Sequence, residues 1–143
     1  MSTLERAISI AAQAHSGQVD KAGQPYILHP LRVMLRVNSQ DERMAAVLHD
    51  VVEDTSITLE QLATEGFSGV VLEAVEALTK RPGENRLAAA ARAAKNKVAR
   101  AVKLADNAEN MDISRIAVPT DKDFARLKEY EQVRALLLGA AED

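Results

Sequence analysis

Apolar residues recur along this chain at intervals of three and four, and nowhere does an apolar–polar alternation persist long enough to make a strand. That pattern confines the chain to an all-α fold. From Ser2, whose spacing to Glu5 matches a capping box, the series Leu4, Ala7, Ile8, Ala11, Ala12 and Ala14 predicts a first helix ending near Gly17. Residues 17–25 read as loop, and Pro30 suits the first turn of a second helix with His29 at its entrance. Residues 41–54 predict a third helix with Met44, Ala45, Val47, Leu48, Val51 and Val52 on one side, and Thr58 with Gln61 caps a fourth. Val70, Val71, Ala74, Val75 and Leu78 mark a fifth, Arg81-Pro82-Gly83 breaks it, and an alanine-rich sixth begins near Glu84. Residues 97–110 form a seventh. Thr120 and Asp123 open a last helix whose apolar positions are Phe124, Leu127, Tyr130, Val133, Leu136 and Leu137. The expectation is one compact domain over residues 1–143, seven or eight helices packed around one core.

Charge narrows the partners. With 18 Lys and Arg against 21 Asp and Glu, the net charge is −3, which offers no basic field for nucleic acid or an anionic membrane. Aromatic residues total 3% and Trp is absent, so no base-stacking platform can be built. The absence of Cys removes disulfides, thiolate metal sites and cysteine nucleophiles together. No stretch has the length and apolarity of a signal peptide or a membrane span, so a cytoplasmic protein acting on a small molecule is expected. Nothing in composition or motif specifies an oligomeric state.

The three histidines are His15, His29 and His49, and the last opens the run His49-Asp50-Val51-Val52-Glu53-Asp54. On a helix turning about 100° per residue, Glu53, Asp50 and Asp54 fall about 40°, 100° and 140° from His49, opposite the apolar arc. One imidazole and three carboxylates then share a face that repels itself, with Glu53 and Asp54 at the end where the helix dipole disfavours anions. A bound cation relieves both problems. Carboxylate oxygen and imidazole nitrogen suit Mn, Fe, Co, Zn or Mg, and His29 and Asp106 can complete a set with His49 and Asp50 that balances one M²⁺. Open positions on such an ion make a hydrolytic nucleophile of water, which Glu53 and Asp54 are free to orient or deprotonate.

Five segments fall in order along the chain: Ala14-His15-x-Gly17-Gln18, Pro25-Tyr26-Ile27-Leu28-His29-Pro30, Leu48-His49-Asp50-Val51-Val52-Glu53-Asp54-Thr55, Leu78-Thr79-Lys80 and Val102-Lys103-Leu104-Ala105-Asp106. Together they resemble a small HD-domain phosphohydrolase. More narrowly, the chain resembles the hydrolase domain of RelA/SpoT-type enzymes and the small alarmone hydrolases, which remove the 3′-pyrophosphate from (p)ppGpp with Mn²⁺. The resemblance spans nearly the whole chain and implies an HD-domain helical bundle with His29, His49, Asp50 and Asp106 as metal ligands. It further implies that Glu53 and Asp54 activate water, and that Lys21, Asn110, Arg126 and Tyr130 contact the nucleotide. Two departures stand out. Asp20 occupies the place of an Arg that stacks on guanine in the family, and Asp106-Asn107-Ala108-Glu109-Asn110-Met111-Asp112-Ile113 lacks the basic and hydroxyl partners of the family's pattern.

These departures keep two other readings open: an HD phosphohydrolase acting on another nucleotide, such as a nucleoside phosphate or NADPH, and a metal-dependent sensor that binds nucleotide without turning it over. His15 reads as a packing residue at the end of its helix. Lys80, Arg81 and Lys103 fit either the edge of a phosphate site or a solvated surface.

Overall fold

The computed structural model describes residues 1–142 apart from Ile113 and Arg115, with side chains up to residue 140. Ile113, named above in the motif after Asp106, lies outside the described residues. Helix α1 (Leu4–Ala14) is capped by Thr3, whose side chain accepts from the Arg6 amide. The capping box expected of Ser2 and Glu5 does not form, because Thr3 takes the extended N-cap backbone while the Ser2 amide donates to the Gly66 carbonyl at 3.0 Å. Helix α2 (Leu28–Leu35) carries Pro30 in its first turn, where the missing N–H has no intrahelical partner to lose.

The single helix expected over residues 41–54 is interrupted. Helix α3 (Gln40–Leu48) opens on a Ser39/Glu42 capping box and stops at His49, and the one-turn α4 (Val51–Asp54) follows Asp50. The His49 ring explains the break, since its Nδ1 lies 2.5 Å from the Ala46 carbonyl, the acceptor that the Asp50 amide would need to continue the helix. The later helices are α5 (Leu59–Thr64), α6 (Gly69–Leu78), α7 (Arg86–Ala93), α8 (Lys97–Met111) and α9 (Asp121–Glu142). Thr58 and Gln61 make the capping box read from the sequence, and Thr120 and Asp123 pair reciprocally before α9. Asn85 caps α7 and so delays its start past Glu84. Among the described residues there are nine helical segments, eight if α4 is counted with α3, and no strand beyond an isolated bridge between Val19 and Pro25.

Helix α3 is central, packing against α1, α2, α6 and α8, and its residues Ala45, Ala46, Val47 and Leu48 are all buried. The chain that follows it therefore delivers His49 directly into the interior. Val33, Val51, Val71, Val75 and Val102 belong to the same main cluster. A second cluster, Ala90, Ala94, Val133 and Leu137, joins α7 to α9, so the interior is in two parts where the sequence suggested one core. Alanines on α7 let α9 approach closely. Phe124, placed in the apolar series of α9, is 49% exposed. No described helix is long and apolar enough to cross a membrane.

Candidate metal centre and substrate cleft

Three elements converge on the buried polar group. His29, in the first turn of α2, sets its Nε2 2.7 Å from Asp106 Oδ1 on α8. His49 places its own Nε2 3.1 Å from Asp50 Oδ2 and 3.4 Å from Asp106 Oδ1. One ligand atom each from His29, His49 and Asp106 falls within 4.8 Å of the others, and all three residues are buried. Asp50 abuts this trio through His49, and its Oδ2 accepts from the Tyr26 hydroxyl. Asn110 donates to Asp106 Oδ1 at 3.4 Å and Lys103 Nζ lies 3.5 Å from Oδ2.

The electrostatics of the group favour a cation. Burial opposes the charge on His49, but the Asp50 and Asp106 carboxylates outweigh it and hold the imidazole well above its ordinary pKa. Burial likewise opposes ionisation of Asp106 and Asp50. Lys103, His29 and His49 hold Asp106 well below the carboxylate range, and His49 and the Tyr26 hydrogen bond lower Asp50. Burial and the neighbouring Asp50 raise the Tyr26 phenol, which stays a donor. With Nδ1–H given to Ala46, His49 Nε2 is the free ligand atom of the neutral ring, and it is buried with no hydrogen bond of acceptable geometry. A buried orphan nitrogen aimed at two carboxylates fits a divalent ion.

Glu53 and Asp54 sit at the end of α4, both exposed. Burial on its inner side raises Glu53, with Asp50 and Asp54 adding to the effect, and burial and Asp50 raise Asp54. Glu53 lines the cleft above the His–Asp group, whereas Asp54 is not on its wall. The Gln18 amide donates to the Asp54 carbonyl at 3.4 Å, and its Oε1 lies 2.9 Å from His15 Nδ1. His15 is buried and packs on the Tyr26 ring at 5.0 Å, in keeping with a packing role.

The cleft has a volume of about 550 Å³, and Lys21, Asn110, Arg126 and Tyr130 all line it beside His29, Asp50 and Asp106. That volume suits a small nucleotide. Lys80, Arg86 and Lys103 join the wall, while Arg81 does not. In the sequence Lys80 and Lys103 fit either site or surface, and Arg86 carries no motif that marks it. Tyr26 was visible in Pro-Tyr-x-x-His-Pro but had no role until its hydroxyl met Asp50. Asn107 donates to the Tyr130 carbonyl at 2.9 Å, tying α8 to α9. Asp20 accepts from the Ala22 and Gln24 amides at 2.9 and 3.0 Å, so its carboxylate shapes the loop that presents Lys21.

A family model described as HD domain matches residues 7–143. The chain belongs to the HD-domain family. HD domains bind divalent metal, and His29, His49 and Asp106 form a group able to hold one. This HD domain is 34% identical over 150 residues to a probable GTP pyrophosphokinase of Mycobacterium leprae, covering 96% of the chain and 19% of that protein. It is 45% identical over 75 residues, half of the chain and 11% of the relative, to a guanosine-3′,5′-bis(diphosphate) 3′-pyrophosphohydrolase of Haemophilus influenzae. The chain thus spans a fifth or less of these relatives' lengths. A solved structure described as "A metazoan ortholog of SpoT hydrolyzes ppGpp and plays a role in starvation responses" matches 98% of the chain and 85% of its own, with a TM-score of 0.78 and 25% identity.

Proposed function

We propose that this HD domain is a metal-dependent phosphohydrolase that removes the 3′-pyrophosphate from guanosine alarmones of the (p)ppGpp type in the cytoplasm. One divalent ion, Mn²⁺, is held by His29, His49, Asp50 and Asp106. The observation that carries this reading is the buried His29–His49–Asp106 group on the wall of a nucleotide-sized cleft. The pyrophosphohydrolase of Haemophilus influenzae and the metazoan ppGpp hydrolase, to which the chain is similar, support the substrate.

When bound, the ion supplies Lewis-acid charge to phosphoryl oxygens and lowers the pKa of a water beside it. Glu53, on the cleft wall with its pKa raised, accepts the proton of the attacking water. Asp54 keeps Glu53 basic, because adjacent carboxylates resist simultaneous ionisation. A new P–O bond forms, the bond from phosphorus to the ribose 3′-oxygen breaks, and the 3′-oxygen takes up a proton. Lys21, Asn110, Arg126 and Tyr130 hold the nucleotide in line.

The test is release of phosphate and pyrophosphate from ppGpp, GTP, dGTP, NADPH and nucleoside monophosphates with Mn²⁺, beside a His49→Ala control. Pyrophosphate from ppGpp alone, lost in the control, supports the proposal. Release from a different nucleotide moves the substrate, a reading that Asp20 favours because its carboxylate cannot stack as a guanidinium does. No release from any of them overturns hydrolysis and leaves a nucleotide sensor.

A further inference from the structure

Arg86 opens α7, which packs chiefly against α9 and α6, whereas the candidate metal ligands come from α2, α8 and the α3–α4 junction. Its guanidinium lies over the Tyr130 ring, 4.6 Å from the centroid, and its Nη1 pairs with Glu129 Oε2 at 3.0 Å. Both partners belong to α9. The stack occupies one face of the guanidinium and Glu129 engages one nitrogen, leaving other N–H groups along its edge. Because the fork is already braced, little side-chain entropy remains to be lost when an anion binds.

The other guanidinium on the cleft wall, Arg126, lies 3.6 Å from Asp123, and Lys103 is turned toward Asp106. At position 20 the loop offers a carboxylate. Both cleft guanidiniums have a carboxylate partner, but Arg86 is also held by a ring stack, so its orientation is the better fixed for a phosphate beyond the His–Asp group. A substrate with diphosphates at both ends of its ribose needs two anion sites, one at the metal and one away from it. We propose that Arg86 binds the diphosphate that is not cleaved and thereby selects nucleotides carrying a second, 5′-diphosphate. This assignment rests on the function proposed above.

The experiment compares ppGpp with guanosine 3′-diphosphate, which bears the scissile group but a free 5′-hydroxyl, in the Mn²⁺-loaded wild type, Arg86→Ala, Arg86→Lys and Glu129→Ala. Removing a charge-assisted contact is expected to raise KM for ppGpp about 10- to 100-fold in Arg86→Ala, with kcat changed little. KM for guanosine 3′-diphosphate should change less than about threefold, since it lacks the group that Arg86 holds. Arg86→Lys should recover only part of the loss, as an ammonium cannot grip two oxygens in one plane. Glu129→Ala cuts the ion pair between α7 and α9 but keeps the cation and its stack on Tyr130, so it should raise KM for ppGpp far less than Arg86→Ala does. An equal penalty on both nucleotides, or an equal loss in Glu129→Ala, makes Arg86 a structural tie and overturns the assignment alone. A wild type that hydrolyses neither nucleotide overturns the proposed function and this assignment with it.

Discussion

The His49 ring donates Nδ1–H to the carbonyl of Ala46, one turn back, at 2.5 Å. Two consequences follow from that contact. The carbonyl is taken from the Asp50 amide, so α3 ends where the His49–Asp50 pair begins. The tautomer is also fixed, leaving Nε2 to face Asp50 and Asp106. On an unbroken helix His49, Asp50, Glu53 and Asp54 would share one outer face. The break instead sinks His49 and Asp50 inward and leaves Glu53 and Asp54 exposed above them.

Metal affinity should depend on this arrangement and on pH. Titration with Mn²⁺ by calorimetry is expected to show binding lost in His49→Ala, where Asp50 loses its imidazole neighbour and Asp106 keeps only His29. Tyr26→Phe removes only the hydrogen bond to Asp50 and should weaken binding about 10- to 100-fold while the fold persists. Because Asp50 and Asp106 raise the His49 pKa, a proton competes for Nε2. Affinity should therefore rise with pH as that proton is lost and fall as pH drops through the raised value. A pH-independent constant would show that His49 is not a ligand.

Glu53 and Asp54 are adjacent in sequence but unequal in position. Glu53→Gln should lower kcat by about 10² to 10⁴ while Mn²⁺ and nucleotide affinity are retained, as removal of a general base requires. Asp54→Asn should cost less, since Asp54 does not line the cleft and acts through Glu53. The acid limb of the wild-type pH–rate profile is expected above the ordinary Glu value of 4.5, because burial and the neighbouring carboxylates raise Glu53. In Asp54→Asn that limb should move to lower pH. Equal losses in the two variants would reverse the assignment.

Much of this was readable before the structure. The capping pairs Thr58–Gln61 and Thr120–Asp123 and the breaker Arg81-Pro82-Gly83 are local signals that mark their helix boundaries, whereas the Ser2–Glu5 pair yields to Thr3 because the Ser2 amide is drawn to Gly66. The His and Asp positions were legible because they recur in short, ordered motifs. The α3–α4 break was not, since it depends on a side chain competing with the backbone for one carbonyl. Arg86 was also invisible. Its placement over Tyr130 depends on α7 packing against α9, and an arginine at the head of an alanine-rich helix otherwise reads as solvated.

The small α7–α9 cluster should matter out of proportion to its size. Leu137 and Val133 are fully buried there, with Ala90 and Ala94 facing them. Leu137→Ala is expected to destabilise the fold by about 2 to 5 kcal/mol, read by chemical denaturation. The same helices carry Arg86, Arg126 and Tyr130, so nucleotide affinity should fall before the His–Asp group loses metal. Parallel loss of both would mean that the two clusters unfold as one unit.

Arg92 holds the turn that carries Lys80 to the cleft. Its guanidinium donates to both Glu84 carboxylate oxygens at 2.8 and 2.9 Å and to the Thr79 and Ala77 carbonyls at 2.7 and 3.3 Å, so it closes the exposed end of α6. Arg92→Ala is expected to cost about 2 kcal/mol, from hydrogen bonds to a charged group. Arg92→Lys should recover little of it, because an ammonium cannot span these acceptors. Hydrogen bonds from Arg92 and the Arg81 amide lower the Glu84 pKa from 4.5 to about 2. A carboxyl depressed by folding contributes its full stabilisation above its unfolded value and loses it as pH falls toward the folded one. Stability should thus decline between about pH 4.5 and 2 in the wild type, and Glu84→Gln should flatten that part of the curve without altering stability's dependence on pH above it. An unchanged slope in Glu84→Gln would assign the acid sensitivity to other carboxylates, with Asp106 and Asp50 the first to examine by the same substitution.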